Sequence, residues 1–276
     1  MKSRAGLITL AAVVLAGCGS SEAQPPVLTV RSPKVLRIVF PEGFTRAQMA
    51  ERVGAVREIA RTKRGVTMRM TPRTYMVATA VASIPASFRK DAHGEIEGFL
   101  FPATYAFFSD ETTGRFVRRQ LDAFDKAWRH VDMRYARSKN LTPYDVLIIA
   151  SMIEREVVVP RERRLVAAVV YNRLHAGMPL GIDATLRYGL RIPPTEPITN
   201  AQLDSDSAYN TRKRAGLTPT PIANPGLASM QAAAHPAKVD YLYFVRKPDC
   251  RSHFFTASAA EFLSYSREGL QCGSSG

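Results

Sequence analysis

One segment limits the fold more than any other. From Thr142 to Val157 the chain reads TPYDVLIIASMIEREV. A threonine followed by proline is a natural helix cap with proline in the first turn, so the pattern predicts a helix over Pro143 to Val157. Leu147, Ala150, Ser151, Glu154 and Val158 recur at i, i+3, i+4 and share one face of that helix. Glu154 thus lies on a mostly apolar stripe, and the small residues Ala150 and Ser151 leave room beside it for a ligand or a packed neighbour. Glu156 falls on roughly the opposite side, where solvent or a pairing with Arg163 is expected. A carboxyl with apolar neighbours resists ionisation, and a protonated carboxyl near neutral pH is what a general acid needs. The competing account is structural: an ion pair of Glu154 with Arg155, Arg161 or Arg173 that joins two helices. Spacing alone leaves both open.

The flanking sequence supplies a frame for that helix. Val35 to Phe40 alternates enough for a short strand, and Pro41-Glu42-Gly43 follows as a turn. Thr45 and Gln48 make a capping-box pattern ahead of a helix over about Arg46 to Val53. A second helix is expected from Pro72 to Val81, and Gly98 to Phe108 is aromatic-rich. Helical periodicity returns over Thr113 to Val131 and over Arg161 to Ala176, where Gly177 stops it. Residues 178–230 are rich in Pro, Gly, Asn and Thr and read as ordered loops with short helices. Tyr241 to Val245 predicts a strand, Phe254-Phe255-Thr256 its hairpin partner, and Ala257 to Gly269 a last helix. The expected class is α+β: a small βα module over 36–90, then a mixed, largely helical domain over 91–272 ending in a short β-hairpin.

The N-terminus reads as an export signal. Lys2 and Arg4 precede an apolar run from Leu7 to Ala16, broken only by Thr9 and too short for a membrane span of about 20 residues. It ends in Leu15-Ala16-Gly17-Cys18, which resembles a bacterial lipobox. Residues 1–18 are therefore expected to be a lipoprotein signal with Cys18 as the lipidated residue, and 19–35 a tether rich in Gly, Ser and Pro. Two acyl chains on Cys18 suffice for stable anchoring to a bacterial membrane, on its extracytoplasmic side. The alternative is an ordinary cleaved signal with an incidental cysteine. With Cys18 acylated, Cys250 and Cys272 remain, an even pair that in an exported chain suggests one disulfide.

Among 276 residues the formal net charge is +14. Such a field favours anionic partners, whether nucleic acid, lipid head groups or wall polymers. The basic residues are spread along the chain, and an export signal argues against nucleic acid. The five histidines show no metalloprotease spacing, no cysteine pair has zinc-ligand spacing, and neither a nucleophile elbow nor a phosphate-binding glycine loop occurs. No cofactor or metal is expected. What remains are loops dense in neutral donors and acceptors: Asp183-Ala184-Thr185, Ser207 to Thr211 with Tyr209 and Asn210, and Asn224-Pro225-Gly226. Such groups suit sugar hydroxyls and ring faces, and they equally suit ordinary turns.

Taken together these blocks resemble a known family. Ala150-Ser151-Met152-Ile153-Glu154-Arg155-Glu156, Val170-Tyr171-Asn172-Arg173-Leu174 with Gly177-Met178-Pro179-Leu180, Asp183-Ala184-Thr185 and Tyr188-Gly189 occur in the order found in MltG-type (YceG-like) endolytic murein transglycosylases. Glu97-Gly98-Phe99-Leu100-Phe101-Pro102-Ala103-Thr104-Tyr105 matches upstream. Downstream matches are Tyr209-Asn210-Thr211, Gly216-Leu217, Pro221 to Gly226, Ala232 to Pro236 and Tyr241 to Val245. The resemblance runs from about Ile38 to Thr256. It implies that the 36–90 module is LysM-like and that Glu154 is the catalytic residue. The implied reaction is non-hydrolytic cleavage of the MurNAc-β1,4-GlcNAc bond, leaving 1,6-anhydroMurNAc ends. Ser151, Asp183, Thr185, Tyr209, Asn210, Thr211, Asn224 and Glu97 are then the expected substrate-binding residues. Peptidoglycan glycan strands are the expected partner, with peptidoglycan synthases as further partners. The chain departs from the family in carrying a lipobox-like segment where a transmembrane helix is usual, and in Thr218-Pro219-Thr220-Pro221. The other class of reading is a non-catalytic peptidoglycan-binding lipoprotein.

Overall fold

The structure is a computed structural model that describes residues 34–92 and 94–267. These fall in one compact unit. Cys18 and Cys272 lie outside the described residues, as do the expected signal segment and all but the last two residues of the expected tether; Cys250 is disulfide-bonded. No helix among the described residues is long and apolar enough to cross a membrane.

The chain is mixed α+β, as expected, with two small antiparallel sheets in a largely helical body. Strand β1 (Val35–Val39) pairs with β2 (Thr104–Phe108), with Leu36 opposite Phe107 and Ile38 opposite Tyr105. Those four side chains are buried, whereas Val35, Val39 and Phe108 are exposed. This is the period of two that a half-buried sheet imposes. The strand within the aromatic-rich run was not expected. Its pairing ties residues on either side of position 90 into one sheet.

Helix α1 (Arg46–Arg64) opens with the Thr45/Gln48 capping box and ends at Gly65 in the left-handed region, φ 58°. It runs eleven residues past the expected Val53. Gly54 hides this in sequence, because glycine disfavours helix. In the fold a Cβ at Gly54 would meet Pro72 at 3.1 Å, so the missing side chain is what lets α1 approach α2 (Pro72–Ala80). A short 3₁₀ turn at Ala86–Phe88 leads toward β2 and α3 (Thr113–Trp128). Phe88, Phe99, Phe124 and Trp128 form an aromatic cluster there, with centroids 4.9–5.9 Å apart.

After α4 (Arg134–Ser138) comes α5 (Pro143–Glu156), capped by Thr142 and Asp145. Every residue from Val146 to Ile153 is buried. The single-stripe expectation therefore gives way to a helix apolar all round, sunk in the core. Val158 lies beyond its end and is exposed. A 3₁₀ turn (Pro160–Glu162) leads into α6 (Arg163–His175), so the helix expected from Arg161 starts two residues later. Helices α7 (Asp183–Leu190), α8 (Asn200–Leu203) and α9 (Leu227–Ala234) punctuate the long loops. Strands β3 (Tyr243–Arg246) and β4 (His253–Thr256) form the hairpin, and α10 (Ala259–Arg267) closes the described chain. Helix α9 packs across α5. That contact brings the loop before α9 onto the last turn of α5.

Candidate functional site

The last turn of α5 is where the buried helix first meets polar groups. Glu154 is only 6% exposed in its side chain. Its Oε2 accepts the backbone N–H of Gly226 at 3.0 Å. Gly226 is the N-cap of α9 and has no side chain to cap that helix itself. The Glu154 carboxyl group fills the vacancy from another element. The Oε1 of Glu154 stands 4.0 Å from Arg163, whose Nε donates to Ser229 Oγ in α9 at 3.2 Å. The ion-pair account thus holds in part, with Arg163 as the partner in place of Arg155, Arg161 or Arg173.

A second carboxylate stands beside the first. Glu42 belongs to the Pro41-Glu42-Gly43 turn, and its carboxylate lies where a Cβ on Gly226 would be. Gly226 has φ −79°, a conformation open to any residue, so it is space that demands glycine there. Gly43 has φ +79°, and a Cβ there would stand 3.5 Å from Glu154 Cγ, so this turn passes close to the acid. Burial pushes the Glu42 pKa upward, the Glu154 charge adds to that, and Arg163 opposes it. Residue 42 as a whole is exposed, so the Glu42 side chain stands between solvent and a nearly closed Glu154. Sequence reading treated this turn as mere connection. The signal it carried was an acidic residue in a Pro-x-Gly turn directly before a capped helix.

Asn224 fixes this arrangement. Its Oδ1 accepts from the N–H groups of Gly98 (3.0 Å) and Leu100 (2.9 Å), and its Nδ2 donates to Phe44 O (2.9 Å) and Glu97 Oε1 (2.7 Å). Its backbone N–H donates to Phe44 O, and its carbonyl accepts from Gly43. Every donor and acceptor of this fully buried amide is used. Arg155 adds a bond from Nη1 to Gly43 O at 3.2 Å. The turn that carries Glu42 is thereby clamped to α5 and to the 221–226 loop.

The other expected binding residues divide by burial. Glu97 is buried; its carboxylate accepts the Arg46 N–H at the start of α1, the Tyr188 hydroxyl and the Asn224 amide. Burial pushes its pKa up to about 7 against those hydrogen bonds. Ser151 is fully buried and holds the 221–226 loop to α5, donating to Ile148 O at 2.7 Å and accepting from Ile222 N at 3.0 Å. Thr185 and Thr211 share a 2.9 Å hydroxyl contact beneath Ile182, and Asn210 donates to Leu203 O and Ser205 O. Tyr209 pairs its hydroxyl with Thr220 at 2.8 Å and packs its ring on Tyr188. These polar groups are bonded within the fold, because buried loop backbone must be satisfied somewhere. Asp183 has a half-exposed side chain and pairs with Arg212 at 2.6 Å.

Glu156 corrects an expectation. It neither faces solvent nor meets Arg163; its side chain is 15% exposed, with Arg246 at 4.0 Å. Burial raises its pKa, and Arg246 works against that. It lines a cavity of about 900 Å³ between α5, α7 and the β3–β4 hairpin. Glu154 and Glu156 therefore look onto different sides of one helix turn, with Arg155 between them. Among the described residues no group of three or more His, Cys, Asp or Glu could hold a metal ion.

Glu154, Glu42 and Arg163 thus meet where the last turn of α5 faces the start of α9. The chain belongs to the YceG-like family, whose sequence model matches residues 21–268. An endolytic murein transglycosylase of Streptococcus pneumoniae is 33% identical over 243 residues, covering 82% of this chain and 42% of the relative. One from Bacillus subtilis is 37% identical over 160 residues, covering 58% of this chain and 44% of the relative. The chain thus spans less than half the length of these curated relatives. The crystal structure of a yceG-like protein from Listeria monocytogenes aligns with a TM-score of 0.69 at 29% identity, covering 83% of this chain and 75% of that one.

Proposed function

We propose that this protein is an endolytic lytic transglycosylase of peptidoglycan, with Glu154 as its acid/base. The observation that carries the reading is the placement of Glu154, the residue the family resemblance implies is catalytic: nearly enclosed, oriented by Gly226 and faced by Glu42 and Arg163. Protonated Glu154 gives its proton to the glycosidic oxygen between MurNAc and GlcNAc, and the bond to the anomeric carbon breaks. The carboxylate so formed takes the proton of the muramoyl C6 hydroxyl. That oxygen closes a 1,6-anhydro ring on the anomeric carbon. The nucleophile comes with the substrate, so proximity replaces a bound water, and one carboxylate serves both steps. A second carboxylate at a set separation is needed in ordinary glycosidases and is not needed here. Glu42 stands beside Glu154, where a carboxylate's charge favours the developing cation.

The test is to incubate purified protein with polymeric sacculi and read the muropeptides by mass spectrometry. Anhydro ends support the proposal, reducing ends mean a hydrolase, and no cleavage leaves a binding protein. Glu154→Gln should lose roughly 10²–10⁴-fold in rate. One observation favours a second reading, in which Glu156 is the acid: it is Glu156 that lines the 900 Å³ cavity. Glu156→Gln activity decides between them. The proposal extends to place and partners. The lipobox-like segment ending at Cys18 supports a lipid-anchored protein on the extracytoplasmic side of a membrane, beside peptidoglycan synthases that supply new strands.

A further inference from the structure

The cavity beside the catalytic turn has a charge pattern that cleavage of a neutral sugar linkage does not call for. Five arginines line it: Arg155, Arg173, Arg187, Arg212 and Arg246. Asp183 takes up Arg212 at 2.6 Å, and Glu156 faces Arg246 at 4.0 Å. Arg155, Arg173 and Arg187 have no carboxylate within 4.0 Å among the described residues. They are held instead by carbonyl oxygens. Arg155 donates to Gly43 O, Arg173 to Leu180 O and Leu242 O, and Arg187 to Pro193 O and Glu196 O. Carbonyl anchors fix a guanidinium without cancelling its charge. Three oriented cations around one concave space are a receptor for carboxylates, since each retains N–H donors in a planar fork. The apolar stretch of the wall, Tyr243, Phe244 and Phe262, suits the aliphatic parts of a ligand.

The position of the cavity selects the ligand. Consecutive helix residues are about 100° apart, so Arg155 is the step from Glu154 on one side to Glu156 on the other. A muramoyl residue at Glu154 carries its peptide on the lactyl group, and that peptide is an acidic chain with a free α-carboxylate on its γ-linked glutamate and another at its end. We propose that the arginine-lined cavity between α5, α7 and the hairpin is a subsite for the carboxylates of the stem peptide on the strand being cut. The inference rests on the transglycosylase reading for the identity of the ligand. It makes the enzyme one that prefers peptide-bearing glycan to stripped glycan.

Binding and cleavage are tested separately on the full chain. Calorimetry uses a free stem pentapeptide, the same peptide with its carboxylates converted to amides, and inorganic phosphate. The acidic peptide should bind, its amidated form should not, and Arg155→Gln and Arg187→Gln should each weaken binding roughly tenfold or more, the usual worth of a charged hydrogen bond. Arg155→Lys keeps the charge and should recover part of the loss. Equal binding by both Gln variants, or binding of phosphate and not of peptide, overturns the inference. In the second arm the ratio of kcat/KM on peptide-bearing strands to that on amidase-stripped strands should fall in the Gln variants, through KM. An unchanged ratio also overturns it. Peptide binding without any anhydro product would instead keep the subsite and remove the transglycosylase reading.

Discussion

Gly226 donates its backbone N–H to Glu154 across 3.0 Å, and the space where its side chain would stand is filled by the carboxylate of Glu42. One residue without a side chain thus sets the spacing of two acids. Gly226→Ala should fold, because φ −79° suits alanine and only the end of a flexible glutamate must move. The displaced Glu42 no longer stands over Glu154, and activity should fall roughly 10- to 100-fold, the scale of a misplaced catalytic contact. Comparing the melting temperature with anhydro-muropeptide release separates this from unfolding.

Glu42 has its pKa raised by burial first and by Glu154 second. A carboxyl raised in the folded state binds protons more tightly there than in the unfolded chain. Its ionisation therefore costs stability as pH rises through the shifted value, and below the ordinary carboxyl range the cost is absent. Glu42→Gln should be more stable than the parent at pH 7 and indistinguishable at pH 4. Urea midpoints at the two pH values check this.

Glu97 gives the same sign in a wider window. Its value of about 7 lies above the ordinary 4.5, so folding loses stability between roughly pH 4.5 and 7, by up to about 3 kcal/mol. Glu97→Gln should flatten that slope. A parent protein whose stability climbs from pH 5 to 7, with the same climb in the variant, would contradict the placement of this carboxyl.

Asn224 holds four polar groups on two segments, residues 97–100 and the turn at Phe44. Asn224→Ala leaves the Gly98 and Leu100 N–H groups without their acceptor and removes the bond to Glu97. A loss of about 3 kcal/mol or more is expected, at 1–3 kcal/mol for each stranded buried group. Asn224→Asp should also fail, since a carboxylate cannot donate to Glu97 or to Phe44 O. Chemical denaturation of both variants tests this.

What could be read from the sequence follows from how local each signal is. Helix α5 was legible because its cap, its proline and its apolar run are contiguous. The true length of α1 was not, since the reason for Gly54 lies on another helix, at Pro72. Strand β2 was hidden because its partner is some seventy residues away. Glu154 was legible as an acid among apolar residues. Glu42 was not, because a turn reads the same whether or not it ends up over a carboxylate. Asn224 and Ser151 drew attention for their chemistry, and the fold spends that chemistry on its own backbone.

The pairing of β1 with β2 has a practical consequence. A fragment starting after residue 90 would keep Glu154 yet lose Leu36 and Ile38 from over Tyr105 and Phe107. It would display a naked strand margin, the sort of surface on which chains zip together into aggregates. The short leading arm thus has two duties at once: it seals the greasy flank of the larger body while holding Glu42 over Glu154. Shuffling it between relatives as an independent cassette should fail unless the receiving partner brings its own matching strand.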